Sequence, residues 1–202
     1  MSGIVAQNIL DNTGLIKASS GGAVGLTFIS KQTASSSATL SFTSGIDSTY
    51  KEYLFTFNNM HPATDNVTFQ VNFRDGGSDF DATKTTTFFR AFHAENDSAA
   101  ALAYQDNHLA QGTGFQTLAE CGNDNDQCTS GTLTLFEPSS TTFVKHFISD
   151  FNFVNGSDFS MNTRSAGYCN VTDAIDGVQF KMNSGNTDSG DICLYGLTTW
   201  QE

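Results

Sequence analysis

Residues 53–77 read YLFTFNNMHPATDNVTFQVNFRDGG, and this stretch decides the fold class. Its first five residues alternate aromatic and other side chains, and the same period of two returns over Val67–Phe73. A period of two places successive side chains on opposite faces of a β-strand. The stretch ends in Asp75-Gly76-Gly77, which is a strong turn signal. It therefore predicts two strands, each with one buried face.

The same pattern continues outward on both sides. Gly- and Asn-rich turns separate the apolar runs, and the single helical candidate is the region 98–111, where Ser98 would cap a run of only a turn or two. About ten short strands without intervening helices predict an all-β antiparallel β-sandwich. The jelly roll is the commonest such arrangement at this length.

Residues 1–23 differ from the sandwich domain predicted for residues 24–202. They end in Ala18-Ser-Ser-Gly-Gly22, a composition typical of a flexible linker. The stretch is too short to form a hydrophobic core of its own, so we expect an extended N-terminal arm. The arm either frays or docks on a partner through its isolated apolar residues, which are Ile4, Val5, Ile9, Leu10, Leu15 and Ile16.

Charge and hydropathy exclude several classes of partner. Nine Lys and Arg against 21 Asp and Glu give a net charge of −12, which repels phosphate, so we expect neither nucleic acid nor an anionic membrane as a partner. The chain has no apolar window of membrane-spanning length, so no membrane insertion is expected. The first 17 residues lack a basic region and a long apolar run, and we expect no secretory signal.

The residues that commonly bind metals are scattered, so we expect no metal and no cofactor. The four histidines lie far apart and form no HxH or HExxH motif. Residues 120–126 offer oxygen ligands that calcium prefers, but their spacing is not that of an EF-hand, and a solvated hairpin loop is the alternative.

The four cysteines form no CxxC motif, and reduced thiols are the default expectation without a secretory signal. A small disulfide between Cys121 and Cys128 stays open as an alternative. The cysteines are Cys121, Cys128, Cys169 and Cys193.

Motifs of nucleophilic catalysis are missing from the sequence. There is no GxSxG elbow and no SxxK, and 21 acidic residues give no reason to select a catalytic pair. We therefore expect no enzyme, with a glycan-cleaving enzyme as the alternative. Near the C-terminus, Tyr195, Gly196 and Trp200 suggest either a trimer contact or ordinary core packing, because glycine within a strand often marks a close backbone approach.

Several segments resemble virion structural proteins of tailed phages of aquatic bacteria, of the cyanophage or marine-phage type. Among them are FTFNNMHPAT, TTTFFRAFHA, SSTTFVKHF, AIDGVQFKM and LYGL. The segments that carry the resemblance are residues 30–51, 55–64, 85–94, 139–147, 174–182 and 194–197.

The resemblance implies a β-sandwich module that assembles in the bacterial cytoplasm and forms a homotrimer on the virion surface. In one form it is a capsid decoration (cement) protein that binds the major capsid protein through the arm. The alternative is a tail-fibre or receptor-binding module whose loops at residues 120–128 and 155–158 meet a host surface glycan. The family supplies no catalytic motif, and a secreted lectin-like module is a further alternative.

Overall fold

The computed structural model describes residues 25–198, which form twelve β-strands and no helix. No helix that could cross a membrane occurs in this part of the chain. The strands are β1 (Gly25–Thr33), β2 (Leu40–Phe42), β3 (Glu52–Pro62), β4 (Val67–Arg74), β5 (Lys84–Ala94), β6 (Ala100–Tyr104), β7 (Gln116–Cys121), β8 (Thr129–Phe136), β9 (Lys145–Val154), β10 (Phe159–Cys169), β11 (Gly177–Met182) and β12 (Thr187–Thr198).

The strands form two antiparallel sheets that pack face to face. The large sheet has eight strands in the order β1-β12-β3-β8-β9-β10-β5-β6, and the small sheet has the order β2-β11-β4-β7. Every pairing in both sheets is antiparallel. The predicted all-β antiparallel sandwich is confirmed.

The connectivity is that of a jelly roll. Four pairs of strands are nested along the chain, with β1 beside β12, β2 beside β11, β3 beside β8 and β4 beside β7. These pairs alternate between the two sheets, which is how a jelly roll wraps one long hairpin into a double-sheet sandwich. The outermost pair brings the first and last described strands together at one edge of the large sheet.

Two insertions widen the large sheet beyond the jelly roll. The β5–β6 hairpin lies between β4 and β7 along the chain, and the β9–β10 hairpin lies between β8 and β11. Both join the large sheet after β8, so that β6 becomes its far edge. The large sheet therefore extends past the four strands of the small sheet.

Phenylalanine fills the space between the sheets. The ring centroid of Phe57 on β3 lies 4.9 Å from that of Phe151 on β9 and 5.0 Å from that of Phe180 on β11. The rings of Phe73 and Phe147 are also 4.9 Å apart. Contacts of this kind between aromatic rings contribute about 0.5–1.5 kcal/mol each beyond the area they bury. The predicted core faces of β3 and β4 are confirmed.

The structure corrects the prediction at two places. The helical candidate at residues 98–111 forms no helix, because Ala100–Tyr104 is a strand that pairs with β5 from His93 to Phe89. A run this short cannot repay the cost of nucleating a helix, whereas a hairpin gives each residue a ladder partner. Strand β7 was not predicted, because five of its six residues are buried and no alternation is visible.

Candidate assembly surface

The face of the large sheet that points away from the small sheet carries a contiguous set of apolar side chains. Phe28 on β1 pairs with Tyr195 on β12, which pairs with Leu54 on β3. Directly paired residues lie on the same face of a sheet, and the intervening residues Tyr53 and Phe55 are buried on the other face. We call the following six residues the apolar band: Leu26, Phe28, Leu54, Ile148, Tyr195 and Leu197.

The register connects the members of the band into two adjacent rows across the sheet. One row runs from Leu26 to Leu197 and on to Glu52. The next row continues from Leu54 through Thr134 to Ile148 on β9. The band therefore starts at the β1 edge and crosses at least five strands.

Much of the band is open to solvent in the described residues. Phe28 is 57% exposed, Leu26 is 52% exposed and Ile148 is 40% exposed, while the other three members are half-buried. Full burial of a side chain of this size is worth about 1.5–3 kcal/mol. Contiguous exposed apolar patches mark sites of interaction in soluble proteins. The band is thus the best candidate for a contact surface.

Two open grooves continue the band toward the middle of the sheet. One groove of about 890 Å³ is lined by Phe136, His146 and the loop that carries Phe143. The other, of about 420 Å³, is lined by His146, Ile148 and Tyr168. Both grooves have His146 in their lining, so they lie next to each other beside the band.

The band carries little charge although the chain is strongly acidic. Glu52 is the single charged residue in the two rows. At the rim, the ammonium of Lys51 lies 3.0 Å from the carboxylate of Glu137, and the two charges balance. A negatively charged partner, including a second copy of this chain, would meet less repulsion here than over the rest of the surface.

A second apolar surface lies at the opposite edge of the large sheet. We call it the edge patch and define it as Phe89, Leu102 and Tyr104, of which Leu102 is 74% exposed. Phe89 pairs with Tyr104 across β5 and β6. Within residues 25–198, β6 pairs with β5 alone, so one side of its backbone is unpaired. Exposed strand edges of this kind are ready to accept a partner.

The residues predicted as a trimer contact do not share one surface. Tyr195 belongs to the apolar band, but Gly196 is buried on the opposite face. A Cβ atom at Gly196 would clash with the ring of Tyr50, so a contact within the chain already requires this glycine. Trp200 lies outside the described residues. The six apolar residues of the predicted arm, from Ile4 to Ile16, lie outside them as well.

The loops predicted to meet a glycan lie side by side at the end of the sandwich opposite to Gly25. The side-chain amide of Gln127 donates a hydrogen bond of 3.1 Å to the carboxylate of Asp158, which joins the loop after β7 to the loop after β9. A ring nitrogen of His61 lies 3.3 Å from the carbonyl oxygen of Asp124 in the same region. Within residues 25–198, no three His, Cys, Asp or Glu residues are grouped so that they could hold a metal ion.

A small pocket at this end contains two acidic residues. It has a volume of about 190 Å³, lies between the β5–β6 and β9–β10 loops, and is lined by Glu95 and Asp158. If the protein were a glycan-cleaving enzyme, these two residues are the pair that could supply its carboxylates. The carboxylate of Asp158, however, already accepts the hydrogen bond from Gln127.

All four cysteines are free thiols in the structure. Cys121 and Cys169 are buried, and burial raises the pKa of both thiols, that of Cys169 to about 12. Cys128 and Cys193 are partly exposed. The buried pair is therefore held in the unreactive protonated form.

Two lysines flank Cys169 in the interior of the sandwich. Lys84 and Lys145 pair with Cys169 from the neighbouring strands β5 and β9. The ammonium of Lys84 donates to the carbonyl of Ala82 at 2.8 Å, and that of Lys145 donates to the carbonyl of Val171 at 2.9 Å. Burial lowers the pKa of Lys84 to about 8 and also lowers that of Lys145. Sequence reasoning missed this row, because it requires knowing which strands are neighbours.

Comparison with known proteins does not assign the chain to a family. No protein-family model matches the chain, and no curated protein matches it. A solved structure from Bacteroides ovatus, described as structural genomics of unknown function, is similar over 50% of this chain and 45% of that one, so it is matched over less than half of its own length. The sequence identity is 6% and the TM-score is 0.27, a likeness too weak to carry an argument.

Proposed function

We propose that this chain is a structural protein of a phage particle: a homotrimeric capsid decoration protein on the virion surface that binds the major capsid protein through residues 1–23. The resemblance of several segments within residues 26–198 to virion proteins of tailed phages supports this function. The function includes no catalytic step.

One structural observation carries this function. The large sheet exposes apolar residues at two separate places, the band beside β1 and the edge patch beside β6. A threefold ring needs contacts between two different surfaces of the protomer, because the same patch cannot face itself across a threefold axis. Two apolar surfaces at opposite edges of one sheet supply such a pair, and their association would also cover strand edges.

The placement of the chain ends is compatible with an arm that reaches a shell. Gly25 pairs with Thr198 at the β1 edge, so the described chain begins and ends at the same corner of the sandwich. The core of residues 25–198 closes around its own side chains. The arm is therefore available for an external partner without opening the jelly roll.

Light scattering on the full chain and on a chain of residues 24–202 tests the oligomer. We expect trimers for both, because the two apolar surfaces belong to the sandwich. Monomers at high concentration for both proteins would contradict the trimeric function. Binding to purified capsid shells, followed by co-sedimentation, should then require residues 1–23.

A tail-fibre or receptor-binding module is the second candidate, and one observation favours it. The polar loops joined by Gln127 and Asp158 lie at the end of the sandwich opposite to the arm, where a distal receptor site would be placed. Gold-labelled antibodies against the protein separate the two candidates. Label over the head of the particle supports decoration, whereas label at the tail supports the receptor module.

A further inference from the structure

The apolar band begins where the described chain begins. Gly25 is the first residue of β1, and its neighbour Leu26 is the first member of the band. Phe28 follows two residues later in the next row. The described chain therefore begins at the corner of the band.

We propose that the apolar band is the docking surface for residues 4–16 of the same chain. This segment contains six large aliphatic residues and a single charged residue, Asp11. Glu52 is the one charged residue in the two rows of the band. An aliphatic segment on an aliphatic and aromatic surface buries apolar area on both sides and desolvates almost no charge.

The length of the segment fits the path along the sheet. Thirteen extended residues span about 40 Å. The band and its two grooves run from β1 to β5, which is six strand spacings or about 29 Å. Residues 17–24 connect the segment to β1, and Gly21 and Gly22 allow the chain to turn back toward the sheet. The grooves beside His146 would then accommodate the side chains of the segment that lie farthest from β1.

Covalent linkage favours the chain's own segment over that of a neighbour. A tether of about eight residues holds the segment near its own band at an effective concentration in the millimolar range. A second copy would have to exceed that concentration to compete. The docking concerns the free protomer and goes beyond the proposed function. In the trimer, the edge patch of a neighbour would replace residues 4–16 on the band, and the released segment would be available to the shell.

Trypsin cleavage after Lys17 tests the docking in the full chain, at a dilution where light scattering shows a monomer. Lys17 is the single Lys or Arg in residues 1–24 and directly follows the apolar segment. A docked segment opens only transiently, so we expect cleavage at least about tenfold slower than in a free peptide of residues 1–24. Mass spectrometry follows the product that begins at Ala18.

Matched variants locate the docking surface. Phe28→Ser with Ile148→Ser removes two exposed members of the band and should restore cleavage to within about twofold of the peptide rate. Leu102→Ser with Tyr104→Ser removes two apolar residues of the edge patch that are at least as exposed, and it should leave the protection unchanged. Unfolding midpoints of both variants verify that the jelly roll is intact.

Three results would overturn the docking. They are cleavage of the full chain at the peptide rate, protection that the band variant does not relieve, and protection that disappears on dilution, which would assign the band to a second copy. The proposed function fails separately. Rapid cleavage of the monomeric full chain overturns the docking alone, whereas a full chain and a chain of residues 24–202 that both stay monomeric at high concentration contradict the trimer alone.

Discussion

Phe28 on β1 packs edge-on against Tyr195 on β12, with 5.8 Å between the ring centroids, on the face of the large sheet that the small sheet leaves uncovered. This aromatic pair joins the first and last described strands near the corner where the described chain begins and ends. The pair is thus at once part of the closure of the jelly roll and the start of an exposed apolar surface. A mutation at this position is expected to affect assembly more than folding.

Substitution in the edge patch should weaken the trimer. Leu102→Ser with Tyr104→Ser removes the most exposed apolar side chains of β6, and each lost apolar contact costs about 1.5–3 kcal/mol if the patch is buried in the oligomer. We expect the trimer to dissociate at concentrations at least tenfold higher than for the wild type, measured by sedimentation velocity. Asn152→Ser, on the same face but outside both apolar surfaces, is the control. Equal dissociation of all three proteins would exclude the edge patch from the contact.

Gly196→Ala should destabilise the fold. The added methyl group would overlap the ring of Tyr50, which is half-buried and packs against the core, so the ring must move at a cost of about 1–3 kcal/mol in the free energy of unfolding. Gly114→Ala is the matched control, because a Cβ atom there meets open space. Urea denaturation measures both changes. If Gly196→Ala were as stable as the control, the close approach of Tyr50 would not explain this glycine.

Phe57→Ala should be among the most damaging core substitutions. Phe57 is 1% exposed and contacts rings from both sheets, so its removal leaves a cavity that costs about 3–5 kcal/mol. Phe143→Ala, at a loop position that is 73% exposed, should change the stability by no more than about 0.5 kcal/mol. A comparable loss in both variants would contradict the assignment of Phe57 to the central core.

Lys84 should make stability depend on pH above neutrality. Its pKa is about 8 in the folded chain against 10.5 ordinarily, so between these values the unfolded chain holds a proton that the folded chain has released. The free energy of unfolding then rises with pH in this window. Relative to Lys84→Met, the wild type should gain on the order of 1 kcal/mol between pH 7 and pH 9.

The comparison with Lys84→Met isolates this group, since Cys169 is present in both proteins. The raised pKa of Cys169 acts in the opposite direction above pH 9, because there the folded chain retains a proton that the unfolded chain loses. Parallel pH profiles for the two proteins between pH 7 and pH 9 would show that Lys84 is not desolvated.

Thiol labelling should divide the cysteines into two pairs. Cys128 and Cys193 are partly exposed and should react with a thiol reagent in the native protein, whereas Cys121 and Cys169 should react only after unfolding. Mass spectrometry of the labelled native chain should show two additions. A single addition, with Cys121 and Cys128 found together in one disulfide-linked peptide, would favour the disulfide that the structure does not contain.

Many of the strands and their buried faces can be predicted from the local sequence, because burial of one face imposes a period of two on the side chains of a strand. Residues 53–73 show this alternation, and both strands form with the predicted faces inward. The adjacent residues Phe88 and Phe89 are buried and exposed, respectively, as a period of two requires. The failures arise from contacts with neighbouring strands, which the local sequence does not show. Residues 100–104 form a strand because β5 offers them a partner, and β7 hides its period because both of its faces are covered.

The candidate surface was only partly foreseeable. Tyr195 was singled out from the sequence, and it belongs to the band, but its neighbour Gly196 does not. Phe28, Leu54 and Ile148 are far apart along the chain and become one surface through strand register alone. The sequence by itself determined that this is an acidic all-β protein of alternating, Phe-rich strands, because periodicity and composition are local properties. The tertiary structure alone decided which apolar residues share the uncovered face, because strand neighbours and register depend on contacts between residues distant in sequence.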